Sequence, residues 1–466
     1  MTHSTLNMVI RTRIDDINTP VSAFIKLNAT NSFLLESVSG GENVARYSFI
    51  GLNPLKTIEV STQGKVLIDN QISPDTQDPI KLLEDCFKQF NIVAPSDIKL
   101  PSFAGGPVGF FAWETIQYIE PITFSKKNNT PFPLMHFIIP QVVIVFDHAK
   151  RQMMLIAFEE DSKKGSGQVI LDEVEAKLST AIAALPLKSI IKEDAIFNNV
   201  PSNYTQDQFE SAVKKAQHHI HEGDIFQIVL SQKFSIQSPK KPIDVYRQLR
   251  TINPSPYMYF FQFPEYAIIG ASPEILTSLS KGQATLRPIA GTRPRIVENE
   301  EALIQELLED PKEIAEHMML VDLGRNDLGR VCDFNSVHVS ELKVIEKYSH
   351  VMHIVSNVQG QLSSGKNAFD LFRATFPAGT LSGAPKIRAI QLLEEIEPDT
   401  RGPYGGALGY FDFRGNMDLC ILIRTLLFKN GQYHVQAGAG IVADSVPSTE
   451  YQETQNKARG IIQACL

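Results

Sequence analysis

The sequence has few cysteines, and they are widely spaced. Cys86, Cys332, Cys420 and Cys465 are the only four in 466 residues, and they form no C-x-x-C. That argues against a disulfide scaffold and a clustered zinc site, and it fits reduced thiols in a cytoplasmic protein. Long apolar runs are missing as well. The longest, FIIPQVVIVF (137–146), is interrupted by Pro140 and Gln141 and falls far short of the ~20 residues a membrane helix needs. The opening MTHSTLNMVIRTRIDD has no apolar stretch of the secretory kind. Basic charge is not in excess: the formal net charge is −8, which argues against nucleic acid as a partner. No internal repeat or low-complexity tract is present. What remains is 43% apolar and 21% charged, ordinary for a soluble globular chain. The length suits two or three domain-sized units or one large body, with a core that needs no covalent staples.

One stretch runs against the acidic balance. LRPIAGTRPR (286–295) carries three arginines, with a Gly291-Thr292 pair at its bend and an alanine, Ala290, before it. A basic cluster in an acidic chain points to a small anion as its partner.

Hairpin signals dominate the pattern. TIEVSTQGKVLI (57–68) reads as a hairpin turning at Gln63-Gly64, VVIVFDHAKRQMMLIAF (142–158) as a second, and 266–289 as a third turning at Lys281-Gly282. Residues 407–442 read as a three-stranded antiparallel meander with turns at Arg414-Gly415-Asn416 and Asn430-Gly431. A further strand is expected over 226–234. Helical spacing marks 165–184, 205–222, 298–308, 311–323, 384–396 and 448–463. Hairpins between isolated helices predict an α+β fold of antiparallel sheets covered by helices, not a doubly wound parallel sheet. A polar stretch at 189–206 containing Pro201 sets a boundary near 200.

Two helix starts repeat one device. In EDPKEIAEHMML (309–320), Asp310 is placed to cap and Pro311 to occupy the first turn. Glu313 and Glu316 follow, three apart on one face. In DSVPSTEYQETQNKARG (444–460), Thr449 and Gln452 suit a capping box, and Glu450 and Glu453 again lie three apart. Such pairs suit a hard divalent cation, which takes one or two carboxylates beside water and substrate oxygens. They equally suit simple complementation of helix dipoles.

Other candidates are two-sided in the same way. In AGAGIV (437–442), Gly438 and Gly440 either offer backbone N–H groups to an anion or let two backbones pack closely. A dinucleotide site is rejected, because position 443 is alanine and the preceding strands are antiparallel. Arg424, inside CILIRTLLF (420–428), lies on a solvated face or is buried with a carboxylate partner. Lys457 is one helical turn past Glu453, the spacing of a salt bridge. His353 sits among apolar residues, as core histidines do.

Together these stretches have the order and spacing of a known family. LLES (34–37), NPSPYM (253–258), GASPE (270–274), RPIAGTRPR (287–295), DPKEIAEHMMLVDLGRNDLGR (310–330), YSHVMH (348–353), GTLSGAPK (379–386), PYGGALGYF (403–411), IRT (423–425), QAGAGIVADS (436–445) and ETQNKA (453–458) span nearly the whole chain. The sequence resembles the large, chorismate-binding subunits of anthranilate synthases. The resemblance implies antiparallel sheets packed as a sandwich with helices outside. It implies a region 1–200 carrying a regulatory tryptophan site and sheet edges, and a catalytic region 201–466. The implied reaction takes chorismate and ammonia to anthranilate and pyruvate. The ammonia comes from glutamine through a separate amidotransferase subunit, in a heterotetramer.

The same resemblance implies roles for individual residues. Glu316 and Glu453 ligate Mg²⁺. Glu313 and Glu450 are the accompanying carboxylates, with Glu313 protonating the departing 4-hydroxyl. His353 and Thr380 line the reacting ring. Gly291, Thr292, Tyr404, Arg424, Lys457 and the backbone of Gly438, Ala439 and Gly440 bind chorismate. Ser37, Pro256, Tyr257 and Met258 wall the tryptophan site.

Two positions separate the relatives. In water-using relatives a lysine base stands where this chain has Gln227, and glutamine cannot serve as that base. In many aminodeoxychorismate synthases a nucleophilic lysine stands where this chain has Ala290. The expectation is therefore direct attack by ammonia. Aminodeoxychorismate synthase and a non-catalytic, tryptophan-sensing scaffold are the alternatives.

Overall fold

The computed structural model describes residues 4–37, 46–74, 76–126, 130–182, 197, 200–295, 299–347 and 351–466; side chains are not described at Thr292, Pro294 and Val351. Its organising element is the strand Met135–Asp147, where MHFIIPQVVIVFD is buried on both faces except at Gln141 and Asp147. A strand apolar on both faces must be covered on both sides.

From it two sheets diverge. One edge of this strand pairs along its length with Tyr47–Val60. From there the first sheet continues through Ser32–Glu36, Tyr257–Gln262, Tyr266–Ser272, Thr425–Lys429, Gln432–Ile441 and Gln227–Gln237, every pairing antiparallel. The other edge pairs at 142–147 with Gln152–Glu160, which in turn pairs with Ser4–Ile14, and at 135–138 with Val108–Phe111. The second sheet then runs through Ala407–Phe411, Met417–Ile421, Ile275–Ser280, Gln283–Leu286 and Val351–Gln361. Val351–Gln361 finally pairs with both Ile289–Pro294 and His338–Lys347.

The sheets face each other over a core that draws Phe33, Phe261 and Ile268 from the first and Phe110, Leu408 and Cys420 from the second. Helices close the outer faces. Pro20–Leu27, Ser166–Leu178, Pro242–Ile252 and Pro447–Cys465 bury apolar residues against the first sheet. Gln206–His221 and Lys386–Ile396 pack at the Gln227–Gln237 end of the first sheet, and Ala368–Thr375 packs against Ile275–Ser280 of the second. The fold is α+β, a sandwich of antiparallel sheets with helices outside. No described helix is long and apolar enough to cross a membrane. The four cysteines are buried thiols.

Three local expectations are corrected. The meander at 407–442 is two hairpins, because the run 420–428 breaks at Leu422–Arg424. Ile421 pairs with Ala407 in one sheet, whereas Thr425 pairs with Gly270 in the other. Arg424 takes the left-handed conformation that makes the corner, with φ 53°. Thr449 does not cap its helix: Pro447 starts it one turn earlier, and Val446 precedes it without a side-chain cap. Gly291 and Thr292 do not form a terminal turn. They lie in a β-bulge within Ile289–Pro294, with Gly291 at φ 71°, and the strand resumes opposite His353.

Candidate active site

The first carboxylate pair is held by its own helix start. Asp310 caps Pro311–Gly329 by accepting from the backbone N–H groups of Lys312 and Glu313 at 3.0 and 3.2 Å. It also accepts from Arg293 Nη2 at 2.8 Å. Arg293 reaches Glu313 at 3.0 Å and Glu306 at 2.9 Å as well. Arg287 pairs with Glu346, and Arg295 with Glu300. All three arginines of the opening stretch are thus engaged by carboxylates of the chain itself. Burial pushes the Glu313 carboxyl up, and Arg293 opposes the shift.

The bulge glycine lies against that pair. A Cβ at Gly291 would stand 3.2 Å from Glu313 Oε2. Its carbonyl accepts the Nδ1–H of His353 at 3.0 Å. That bond fixes the tautomer, leaving Nε2 as the acceptor nitrogen. Burial, and after it the positive charge of Arg424, keep the ring neutral.

Gln227 connects this helix to the glycine strand. Its Nε2 donates to Glu316 Oε1 at 2.9 Å and lies 2.9 Å from where a Gly440 Cβ would project. A Cβ at Gly438 would meet the Tyr404 hydroxyl and the Leu230 carbonyl, each at 2.8 Å. The Gly438 carbonyl accepts from Lys457 Nζ at 2.9 Å. Lys457 also pairs with Glu453 at 2.6 Å, so the expected salt bridge forms. Ala439 points the other way, its side chain buried in the apolar core, so only its backbone faces Gly438 and Gly440. Gly438→Ala is expected to cost about 1–3 kcal/mol, because the backbone carbonyl of Leu230 cannot yield cheaply. Denaturant unfolding measures that loss, and the displaced Tyr404 should raise KM for the substrate.

Arg424 Nη1 donates to the Lys457 carbonyl at 2.8 Å. Among the described residues it makes no salt bridge with any carboxylate. Burial lowers its pKa, with Tyr404 and Glu453 opposing. A partly buried guanidinium in that state gains from an anionic ligand. On the second acidic helix, burial raises the Glu450 carboxyl, Ser445 opposes, and the charges of Glu453 and Lys312 are felt. Lys312 belongs to the first acidic helix, so the two helix starts face one another.

Thr380 donates to Glu274 Oε1 at 2.8 Å. Burial pushes the Glu274 carboxyl up to about 7, against the Thr380 bond and the charge of Lys457. Glu274 was given no role from the sequence, although it ends the GASPE stretch. A carboxyl so poised, beside a lysine of the cleft, is a candidate acid.

The four residues expected to wall a tryptophan site meet elsewhere. Ser37, Pro256, Tyr257 and Met258 line one cavity of about 340 Å³ between the sheets, with Glu36 and Asp418. The Ser37 hydroxyl is buried and makes no hydrogen bond among the described residues. Tyr257 donates to Asp418 at 2.9 Å.

Residues 30–463 match the family described as chorismate binding enzyme. The anthranilate synthase component 1 of Pseudomonas aeruginosa is 46% identical, covering 96% of this chain and 93% of its own. The crystal structure of anthranilate synthase component I from Streptococcus pneumoniae has a TM-score of 0.80 at 37% identity, over 96% of this chain and 98% of that one. The menaquinone-specific isochorismate synthase of Escherichia coli shares the fold, with a TM-score of 0.74 at 17% identity over 100% and 96%. The chain belongs to the chorismate-binding enzyme family. Within it, the similarity at high identity and nearly full length is to anthranilate synthase component 1.

Proposed function

We infer that the chain is the large subunit of an anthranilate synthase, a cytoplasmic lyase of tryptophan biosynthesis. It converts chorismate and ammonia to anthranilate, pyruvate and water. The observation that carries this reading is Arg424, partly buried and with no carboxylate partner among the described residues, beside Lys457, Tyr404 and the glycine strand, where a dianion gains two cations and backbone N–H groups. Similarity to anthranilate synthase component 1 at 46% identity supports the same assignment.

The four glutamates fit a magnesium ion by their chemistry. Among the described residues no three Asp, Glu, His or Cys side chains converge as ligands, but Mg²⁺ needs only one or two carboxylates, with waters and substrate oxygens completing its shell. Burial and like-charge neighbours raise Glu313 and Glu450, and a divalent cation would relieve that repulsion. Glu316 and Glu453 would hold it. When bound, it would polarise the ring carboxylate as a Lewis acid.

The chain's own groups then divide the work. Arg424, Lys457 and the Gly438–Gly440 backbone orient the dianion. Gln227, engaged by Glu316 and without basicity, leaves water unactivated. Ala290 is buried and apolar and offers no competing nucleophile. Ammonia forms the bond to the ring carbon beside the carboxylate as the 4-hydroxyl leaves. The departing oxygen takes its proton from Glu274, whose carboxyl is held near neutrality. Glu313, expected in that role from the resemblance, is paired with Arg293, and Glu274 is the acid proposed here because its carboxyl is pushed up to about 7. The ammonium formed by the attack gives its extra proton to the Glu274 carboxylate. His353, its pKa lowered by burial, then accepts the proton from the ring carbon bearing nitrogen as the C–O bond to the enolpyruvyl group breaks, and the return of that proton to the enolpyruvate gives pyruvate.

Ammonia is supplied by a glutamine amidotransferase partner, in a heterotetramer, and tryptophan inhibits through the Ser37 cavity. Ser37→Ala is expected to weaken tryptophan inhibition about tenfold, the worth of one buried hydrogen bond, with kcat unchanged; inhibition assays check it. The function itself is tested with purified chain, chorismate, Mg²⁺ and ammonium. Anthranilate fluorescence is expected. Tryptophan binding with no turnover would leave only a sensing scaffold.

A further inference from the structure

The ladder between Gln227–Gln237 and Gln432–Ile441 carries directly opposed pairs on the face turned to the cleft: Val229 with Gly440, Ser231 with Gly438, Lys233 with Gln436, and Ser235 with His434. The first two pairs belong to the site above. The next two line a separate cavity of about 340 Å³, a size within the ~300–1,000 Å³ range of small-molecule sites. Tyr404 is the shared wall: its ring lines this cavity, and its hydroxyl stands at Gly438.

The polar groups of the cavity are incompletely satisfied. Lys233 Nζ makes one long bond, 3.4 Å to the Thr400 carbonyl, and among the described residues it has no carboxylate partner. Gln436 donates to Ser231 at 2.8 Å, but its Oε1 is buried with no partner. Asp399 accepts from Asn203 through one oxygen, Oδ2. His434 is hydrogen-bonded to Ser235 at 3.1 Å, and burial keeps it neutral. The opposite wall is apolar, with Phe132, Leu422 and Leu427. The cavity therefore combines a lysine with no salt-bridge partner among the described residues, one buried acceptor lacking a donor, a carboxylate and an apolar side.

We propose that this cavity binds a small amino carboxylate with an apolar body. Lys233 takes the carboxylate, Gln436 Oε1 and Asp399 take the amine, and Phe132, Leu422 and Leu427 cover the body. Two sources share that chemistry. One is anthranilate, formed on the far side of Tyr404; this arm rests on the proposed function. The other is a free α-amino acid, which does not.

Calorimetric titration of the full chain decides. Anthranilate, L-phenylalanine and benzoate are titrated into the unmodified chain, K233M, Q436L and Arg424→Gln. The amino carboxylate is expected to bind the Arg424→Gln chain and to bind K233M about ten- to a hundredfold more weakly, the loss of one charge-assisted hydrogen bond. Q436L is expected to lose discrimination against benzoate, which lacks the amine. A second test repeats the titrations of the unmodified chain and K233M at saturating chorismate: the Lys233-dependent equivalent of ligand, as distinct from any bound in the Ser37 cavity, is expected to stay undisplaced. Lys233-dependent binding of anthranilate identifies a product site; Lys233-dependent binding of phenylalanine alone identifies an amino-acid site. Absence of Lys233-dependent binding, or full displacement by chorismate, overturns the proposal. If the site binds but chorismate yields no anthranilate, the cavity stands and the assigned reaction falls.

Discussion

Replacing Glu274 with glutamine is expected to lower kcat by about 10²–10⁴, the usual worth of a positioned acid, with little change in KM. The group donates only while protonated, and its carboxyl titrates at about 7. In the unmodified chain, turnover should therefore fall as pH rises through about 7, and the variant should lose that limb. Stability gives a second sign. An acid raised above its unfolded value holds its proton longer in the folded state, so stability falls as pH rises from the usual glutamate range to about 7. Glu274→Gln removes that loss, so the variant should be the more stable chain above neutrality. A variant with unaltered kcat and pH profile would return the acid role to another group.

Glu316→Gln is expected to lower turnover about 10²–10³-fold, the several kcal/mol of a Lewis acid. The amide oxygen of the variant can still accept from Gln227, which donates to Glu316 at 2.9 Å. Stability should therefore stay within about 0.5 kcal/mol. Calorimetric titration with Mg²⁺ in the presence of benzoate provides the separate readout: metal binding should disappear. Retained binding and turnover would remove Glu316 from the ligand set.

The parts of the molecule legible from the sequence are those governed by neighbours along the chain. Asp310 and Pro311 announced a helix start, and Asp310 caps it. Gln63-Gly64, Lys281-Gly282 and Asn430-Gly431 marked turns that the hairpins use. The glutamate pairs followed from spacing alone. Features set by distant partners were not legible. Glu274 looks ordinary until Thr380, 106 residues away, bonds to it within the same pocket. Arg424 stands in an apolar run that reads as one strand, and nothing local signals a left-handed corner at a non-glycine residue. The arginines of 286–295 suggested an external anion, but their partners lie on helices and strands beyond the stretch, at Glu306, Asp310, Glu313 and Glu346. Arg424 has no carboxylate partner among the described residues and donates to the Lys457 carbonyl, and only the fold distinguishes it from the three of 286–295.

In the proposed reaction ammonia reaches the ring carbon beside the carboxylate, with neither a nucleophile at Ala290 nor a base at Gln227 to compete. The most direct measurement supplies ¹⁵N-ammonium as sole nitrogen donor, with chorismate and Mg²⁺, and locates the label in the product by NMR. The account predicts ¹⁵N ortho to the carboxylate, in anthranilate, with pyruvate released. Label on the carbon that carried the hydroxyl, in 4-amino-4-deoxychorismate, or an unlabelled isochorismate, would contradict it.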